Sequence, residues 1–303
     1  MNSNIFISLV NWSNWQDTLN VIKQLTDFEY SDIKISISVI DNASPNDSFD
    51  QLKKHLPEPV HLFLAEANEG YAAGHLLNLK DAKKNSADYF WVLNSDIDLL
   101  ENVLPELLKA SQELEDQAIV GSVTLSDEST IDFGGSEWNP NDTKFHYNDW
   151  KGKPMGELLK KHPKYYRVQS LEGSSLLIPM NIIEKHGFMK TDFFMYGEET
   201  DYCLRLDEKG IPSYVATKSQ LIHQNEGSLM QNSNAPNIKD YYRRRNHLRI
   251  QKEHFGMSSL EAFGYPDGVI QNLKTCIKGK NTKGYYFALG SIHCALNIKG
   301  KKI

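Results

Sequence analysis

Three consecutive runs decide the fold: Ile5-Phe6-Ile7-Ser8-Leu9-Val10-Asn11, then Trp15-Gln16-Asp17-Thr18-Leu19-Asn20-Val21-Ile22-Lys23-Gln24-Leu25, then Ile35-Ser36-Ile37-Ser38-Val39-Ile40-Asp41-Asn42. The first and third are short, apolar and rich in β-branched residues, which predicts strands. The middle run places Trp15, Leu19, Ile22 and Leu25 on one helical face. Strand, helix and strand in this order make a crossover unit, and crossovers join parallel strands. Working outward, residues 61–64, 89–93 and 119–123 predict further strands, and Val103, Leu104, Leu107 and Leu108 a further helix. The expected fold class is α/β, a mostly parallel sheet flanked by helices on both faces.

Beyond residue 125 the pattern changes. Residues 126–169 are polar and studded with Trp138, Tyr147, Trp150, Tyr165 and Tyr166, and read as a long functional loop. A strand is expected at 174–178, then a short helix with Asn181 and Glu184 in capping-box spacing and Gly187 at its end. A helix is predicted over 199–209, stopped by Gly210 and Pro212. Short strands follow at 213–216 and 220–223, and a basic helix at 240–254. The expected division is 1–125 as one half of a domain, 126–235 as its second half, and 236–303 as a C-terminal helical extension.

The chain has 303 residues, 40% hydrophobic and 11% aromatic, enough to bury a core, so disorder is not expected. A net charge of −6 provides no general positive field and argues against nucleic acid as a partner. Residues 274–303 hold seven lysines and no carboxylate, which leaves about −13 on the remainder. That segment reads either as a solvated helix face or as one drawn to an anionic membrane. Cys203, Cys276 and Cys294 form no CxxC pair, which suits a reducing compartment. The N-terminus lacks the basic region and apolar core of a signal peptide, and no stretch approaches the ~18 apolar residues that span a bilayer. The expectation is a cytoplasmic protein, peripheral to the inner face of a membrane if it associates with one.

Polar clusters follow the predicted strands: Asn11 the first, Asp41-Asn42 the second, Asn94-Ser95-Asp96-Ile97-Asp98 the fourth. Asn68-Glu69-Gly70 leads into a helix through Tyr71-Ala72-Ala73-Gly74. Each alone reads as a cap or turn. Together they line the edge where open parallel sheets bind ligands, beyond the carboxyl ends of their strands. The carboxylates near Asp96 suit a hard divalent cation, Mn²⁺ or Mg²⁺. Glu198 and Glu199 open a helix, where they either complement its dipole or supply a general base whose pKa rises through crowding and burial. His223 ends an apolar run and is either structural or a ligand.

These residues resemble glycosyltransferase family 2, with its GT-A fold, and within it a rhamnosyltransferase-like branch. The resemblance spans residues 5–246. It rests on Ser8-Leu9-Val10-Asn11-Trp12, Val39-Ile40-Asp41-Asn42-Ala43-Ser44, Asn68 to Gly74 and Leu93-Asn94-Ser95-Asp96. Further on it rests on Gly173-Ser174-Ser175-Leu176-Leu177-Ile178, on 198–205, and on Ile222-His223 with Gly227-Ser228. It implies a Rossmann-like sheet with a smaller acceptor-side and C-terminal helical region. The implied activity is inverting, metal-dependent transfer of a sugar, rhamnose by the branch, in surface polysaccharide biosynthesis. The donor would be a dTDP- or UDP-linked nucleotide sugar and the acceptor a glycan or lipid-linked oligosaccharide.

By that resemblance Asp41 binds the nucleotide base, with Val10, Asn11, Asn68, Gly74, Asn94 and Ser95 around the donor. Asp96 is the principal metal ligand, Asp98 the second choice, and His223 completes the site. Glu199 is the base with Glu198 as understudy, and Asp201 and Arg205 brace their helix. Arg245 reaches the donor phosphates or lies on a solvated basic face. Gly173, Ser174 and Trp138 fall on the acceptor side. Two rivals are a nucleotidyltransferase, which would carry a Gly-rich basic loop where Asn11-Trp12-Ser13-Asn14 stands, and a non-catalytic glycan-binding protein.

Overall fold

The computed structural model describes residues 3–139, 144–223, 235–264, 269–279 and 282–303. The expected Gly227-Ser228 segment lies outside them. The chain divides into two compact units. One comprises 1–68, 74–188 and 202–227, the other 69–73, 189–201 and 228–303.

Among its described residues the first unit holds twelve strands: β1 (Ser3–Asn11), β2 (Ile33–Asp41), β3 (His61–Leu64), β4 (Tyr89–Leu93), β5 (Ile97–Leu99), β6 (Ile119–Leu125), β7 (Ile131–Phe133), β8 (Ser136–Asn139), β9 (Lys144–Tyr147), β10 (Tyr165–Val168), β11 (Ser175–Pro179) and β12 (Ser213–His223). The main sheet runs β10-β12-β6-β11-β4-β1-β2-β3. Only β11 and β10 run against the others, so six of these eight strands share one direction. The helix Trp15–Asp27 makes the β1–β2 crossover and buries Thr18, Val21, Ile22 and Leu25, while Trp15 and Leu19 stay partly exposed against the core. β4 and β11 are buried along their whole length, because helices cover the sheet on both faces. Trp91 is fully buried in β4, and its indole N–H donates to Ser175 Oγ at 3.0 Å. A side chain of that size is kept in a core only when its polar atom finds a partner.

Three expectations need correction. The segment 126–169 is not an irregular loop: it forms β7, the β8–β9 ribbon, the helix Met155–Lys161 and β10, which pairs with β12. A two-stranded ribbon buries no continuous apolar face, so the alternation that announces a strand is missing. The two short strands at 213–223 are one, β12, whose pairing with β6 shifts register between Ala216 and Gln220. The helix Met180–His186 begins after Pro179, which caps it without a side chain, so Asn181 is not its capping residue. Gly187 ends it at φ +80 as expected.

The second unit is helical, with Ala235–His254, Ser259–Gly264, Val269–Gly279 and Thr282–Ala295. Phe194, Tyr241 and Tyr242 are buried together, with Tyr286 and Leu289 against them. Here Tyr71 N donates to Phe194 O at 3.0 Å. Gly70 adopts φ +98, and a Cβ there would lie 2.0 Å from Phe194 O. Replacing Gly70 with Ala therefore combines left-handed strain with a backbone clash. It is expected to cost more than about 2 kcal/mol by chemical denaturation. Gly187→Ala has the same sign of φ and open space around it, and should cost only about 1 kcal/mol.

Candidate active site

In the first unit the parallel pairing of β1 and β2 sets Asn11 beside Asp41. Asp41 is fully buried, and a carboxylate in that position needs donors. Asn11 Nδ2 donates to its Oδ2 at 2.7 Å, Ser44 Oγ to the same oxygen at 2.8 Å, and Ser44 N to Oδ1 at 2.8 Å. Thr18 Oγ1 in turn donates to Asn11 Oδ1 at 2.8 Å. Asn42 Nδ2 donates to Asn68 Oδ1 at 3.1 Å, and Ser95 Oγ to Val10 O at 3.2 Å. Gly74 packs on Val10, where an added Cβ would lie 2.8 Å from Val10 Cγ2. Val10, Asn11, Asp41, Asn68, Gly74 and Ser95 are thus linked at the carboxyl ends of β1, β2 and β4.

Asn94 and Asp96 follow β4. The antiparallel pairing of β5 with β12 sets His223 opposite Ile97 and brings its ring to the same edge. His223 Nε2 lies 3.2 Å from Asp96 Oδ1 and 3.3 Å from Asn94 Nδ2. Its Nδ1 faces Glu172 Oε1 at 3.7 Å. Glu172 Oε2 accepts from Thr124 Oγ1 at 2.8 Å and from Ser174 Oγ at 3.0 Å. Asn94 N donates to Ser174 O at 3.0 Å, which puts Gly173 and Ser174 beside the cluster. Burial alone would favour a neutral imidazole, but the hydrogen bond to Asp96 and the charges of Asp96 and Glu172 outweigh it and push His223 up to about 10.

The sequence reading missed Glu172. The available signal was its place directly before the Gly173-Ser174 segment, since a strand antiparallel to β4 must begin where β4 ends. Asp98 turns elsewhere, its Oδ1 accepting from Asn20 Nδ2 at 3.0 Å and Gln24 Nε2 at 3.1 Å. Trp138 lies in the β8–β9 ribbon, paired with Phe145.

Glu198 and Glu199 belong to the second unit and open the helix Glu198–Asp207. The loop delivering them is strained, with Phe194 at φ +72, Tyr196 at +65 and Gly197 at +91. Asn246 Nδ2 holds it by donating to the carbonyls of Tyr196 (2.7 Å), Met195 (2.8 Å) and Phe193 (3.1 Å). Arg245 adds Nη2 to Phe193 O at 2.6 Å, while its Nη1 donates to Gly300 O and its Nε to Asn246 Oδ1. Such backbone persists only where its surroundings over-determine it. Arg245 is 1% exposed and its donors go to two backbone carbonyls and the Asn246 side chain, so it lies on no solvated basic face.

Glu198 is 3% exposed, and its Oε2 has no hydrogen-bond partner. Burial first, then the neighbouring Glu199, raise its carboxyl well above the usual range. Glu199 is only half-buried. Asp201 is fully buried and accepts from Lys190 Nζ at 2.9 Å and His254 Nε2 at 3.0 Å. Asp201, Glu253 and His254 can bring ligand atoms within 4.8 Å of one another. Lys190 Nζ, also 2.7 Å from Glu253 Oε2, already supplies positive charge there.

A sequence profile of glycosyl transferase family 2 matches residues 5–169, just over half of the chain. A curated relative, the low-salt glycan biosynthesis hexosyltransferase Agl10 of Haloferax volcanii, is 23% identical over 215 residues, covering 70% of this chain and 64% of its own length. The chain thus spans less than two thirds of that relative. Among solved structures, GalNAc-T7 with UDP, GalNAc and Mn²⁺ superposes with a TM-score of 0.63 at 14% identity, over 94% of this chain and 56% of that one. The mannosyltransferase PcManGT of Pyrobaculum calidifontis, in complex with GDP-Man and Mn²⁺, gives 0.57 at 11% identity, over 97% and 74%. Both likenesses establish the GT-A glycosyltransferase fold.

The raised Glu198 carboxyl has a consequence for stability. Its folded-state pKa lies above the unfolded value near 4.5, so the folded state binds the extra proton. Stability from this group is fully present below that value and is lost as pH rises toward the folded pKa. Glu198→Gln is therefore expected to raise the unfolding temperature at pH 8 by a few degrees, with the gain shrinking toward pH 4. A gain independent of pH would contradict this.

Proposed function

The chain belongs to glycosyl transferase family 2, and on that premise we propose that it moves a sugar from a nucleoside-diphosphate donor to a hydroxyl of a glycan acceptor. The observation that carries this reading is the meeting of Asp96 and Glu172 at His223, where β4 and β12 end and β11 begins. Two carboxylates and an imidazole offer hard oxygen and borderline nitrogen donors, a set that suits Mn²⁺ and, less well, Mg²⁺. Asp96, His223 and Glu172 would hold the cation, which when bound neutralises charge on the departing diphosphate. The Mn²⁺ in both solved neighbours supports this choice. The cluster around Asp41 holds the nucleotide, with Asn94 and Ser95 toward its phosphates.

Glu199 acts as the base. Glu198 is buried, whereas Glu199 beside it is only half-buried and so is the member of the pair open to an acceptor hydroxyl. Glu199 takes the proton of the acceptor hydroxyl, the freed oxygen bonds to the anomeric carbon, and the bond to the diphosphate breaks with its electron pair. One displacement inverts the configuration. Rhamnose from a dTDP donor remains the proposed substrate on the branch resemblance, and the hexosyltransferase relative makes UDP- or GDP-linked hexoses the alternative. Surface polysaccharide or a lipid-linked oligosaccharide on the cytoplasmic side is the proposed acceptor.

Incubating the protein with UDP-, GDP- and dTDP-sugars and Mn²⁺ tests the proposal through nucleoside diphosphate release. One donor class should turn over, and chelation should stop it. Asp96→Asn should lower the rate at least ~100-fold. Glu199→Gln should lower kcat by about 10²–10⁴ with donor KM nearly unchanged. Pyrophosphate release from a nucleoside triphosphate, or a fully active Glu199→Gln, would contradict the account.

A further inference from the structure

We propose that the helices beyond residue 258 form a docking face for an anionic lipid bilayer. Of the twelve large hydrophobic side chains exposed among the described residues, eight lie between Leu260 and Ile303. They are ordered where they belong to the helix Val269–Gly279. Ile270 is 65% exposed, Leu273 37% and Ile277 81%, while Val269 is buried. Positions i, i+3 and i+7 fall within one narrow stripe of a helix. A flanking side, about 100° round the helix from the stripe, is already occupied: a Cβ on Gly284 would lie 2.5 Å from Asn272 O and 3.3 Å from Cys276 N, so the helix Thr282–Ala295 packs there. That contact leaves the stripe itself uncovered. Leu260, Tyr285 and Leu296 add further exposed apolar surface on the neighbouring elements.

Charge selects the occupant. The stretch 274–303 carries seven lysines and no acidic residue, against a net −6 for the whole chain. Lys274 is exposed on the same helix as the apolar stripe. Lys283 and Lys299 each approach one carboxylate, Asp240 at 3.9 Å and Asp192 at 3.4 Å, and remain substantially exposed. An apolar stripe flanked by ammonium groups matches the acyl boundary and phosphates of an anionic leaflet, each element being too weak alone. No helix among the described residues is long and apolar enough to cross a membrane, so the contact is one of docking. A lipid-borne acceptor would then be met at the surface where it resides.

The test is co-sedimentation of the full chain with phosphatidylcholine vesicles, with and without phosphatidylglycerol. The protein should pellet with the anionic vesicles, at least ~10-fold more than with phosphatidylcholine alone, and should be released as NaCl rises from about 0.1 to about 0.5 M. Ile270→Asp/Ile277→Asp should cut the bound fraction ~10-fold or more, and Lys274→Glu about 5-fold. Because these side chains are exposed, their unfolding temperatures should stay within about 2 °C of wild type. A wild-type protein that stays in the supernatant would overturn the proposal. So would double-variant binding equal to wild type, or a stripe that self-associates in sedimentation velocity with vesicle binding unaffected. None of these results bears on nucleoside diphosphate release, so the transferase reading stands or falls separately.

Discussion

Two carboxylates, Asp96 and Glu172, converge on one imidazole at the edge of a buried sheet, and the site depends on how that charge is balanced. Both acids are partly withdrawn from water, where unpaired negative charge is costly. His223 between them is driven to hold a proton well above its ordinary range. A divalent cation bound to the same groups would balance the charge more strongly, and it would need the sheet to keep all three groups at one edge.

The topology provides that edge. β1, β2 and β4 run in parallel, so Asn11, Asp41 and Asn94 emerge together at their carboxyl ends. β11 runs the other way between β4 and β6, so the loop before it returns Glu172, Gly173 and Ser174 to the same edge. β12 supplies His223, held in place by β5. In the second unit the organising element is different: Asn246 and Arg245 clamp a loop with three left-handed residues, and that loop presents Glu198 and Glu199.

Much of the first unit was legible in the sequence because strands buried on both faces read as continuous apolar runs, and the polar residues ending them stand out. Asp41, Asp96 and His223 were visible for that reason. Glu172 was not, because a carboxylate in a short loop carries no periodicity and only the reversed direction of β11 explains its place. Arg245 and Asn246 sit in a run of charged residues that reads as a solvated face, yet both are buried and satisfied by backbone carbonyls, a pairing that depends on tertiary contacts. The ribbon and helix within 126–169 were hidden because short paired strands with mixed polarity lack an apolar side.

Manganese anomalous scattering from crystals grown with Mn²⁺ and a nucleoside diphosphate tests the central claim most directly. The account expects one strong peak within coordination distance of the Asp96 carboxylate and the His223 imidazole, with the diphosphate bound beside it. A peak at Asp201 and His254 instead, or diphosphate bound with no metal at Asp96, would contradict it.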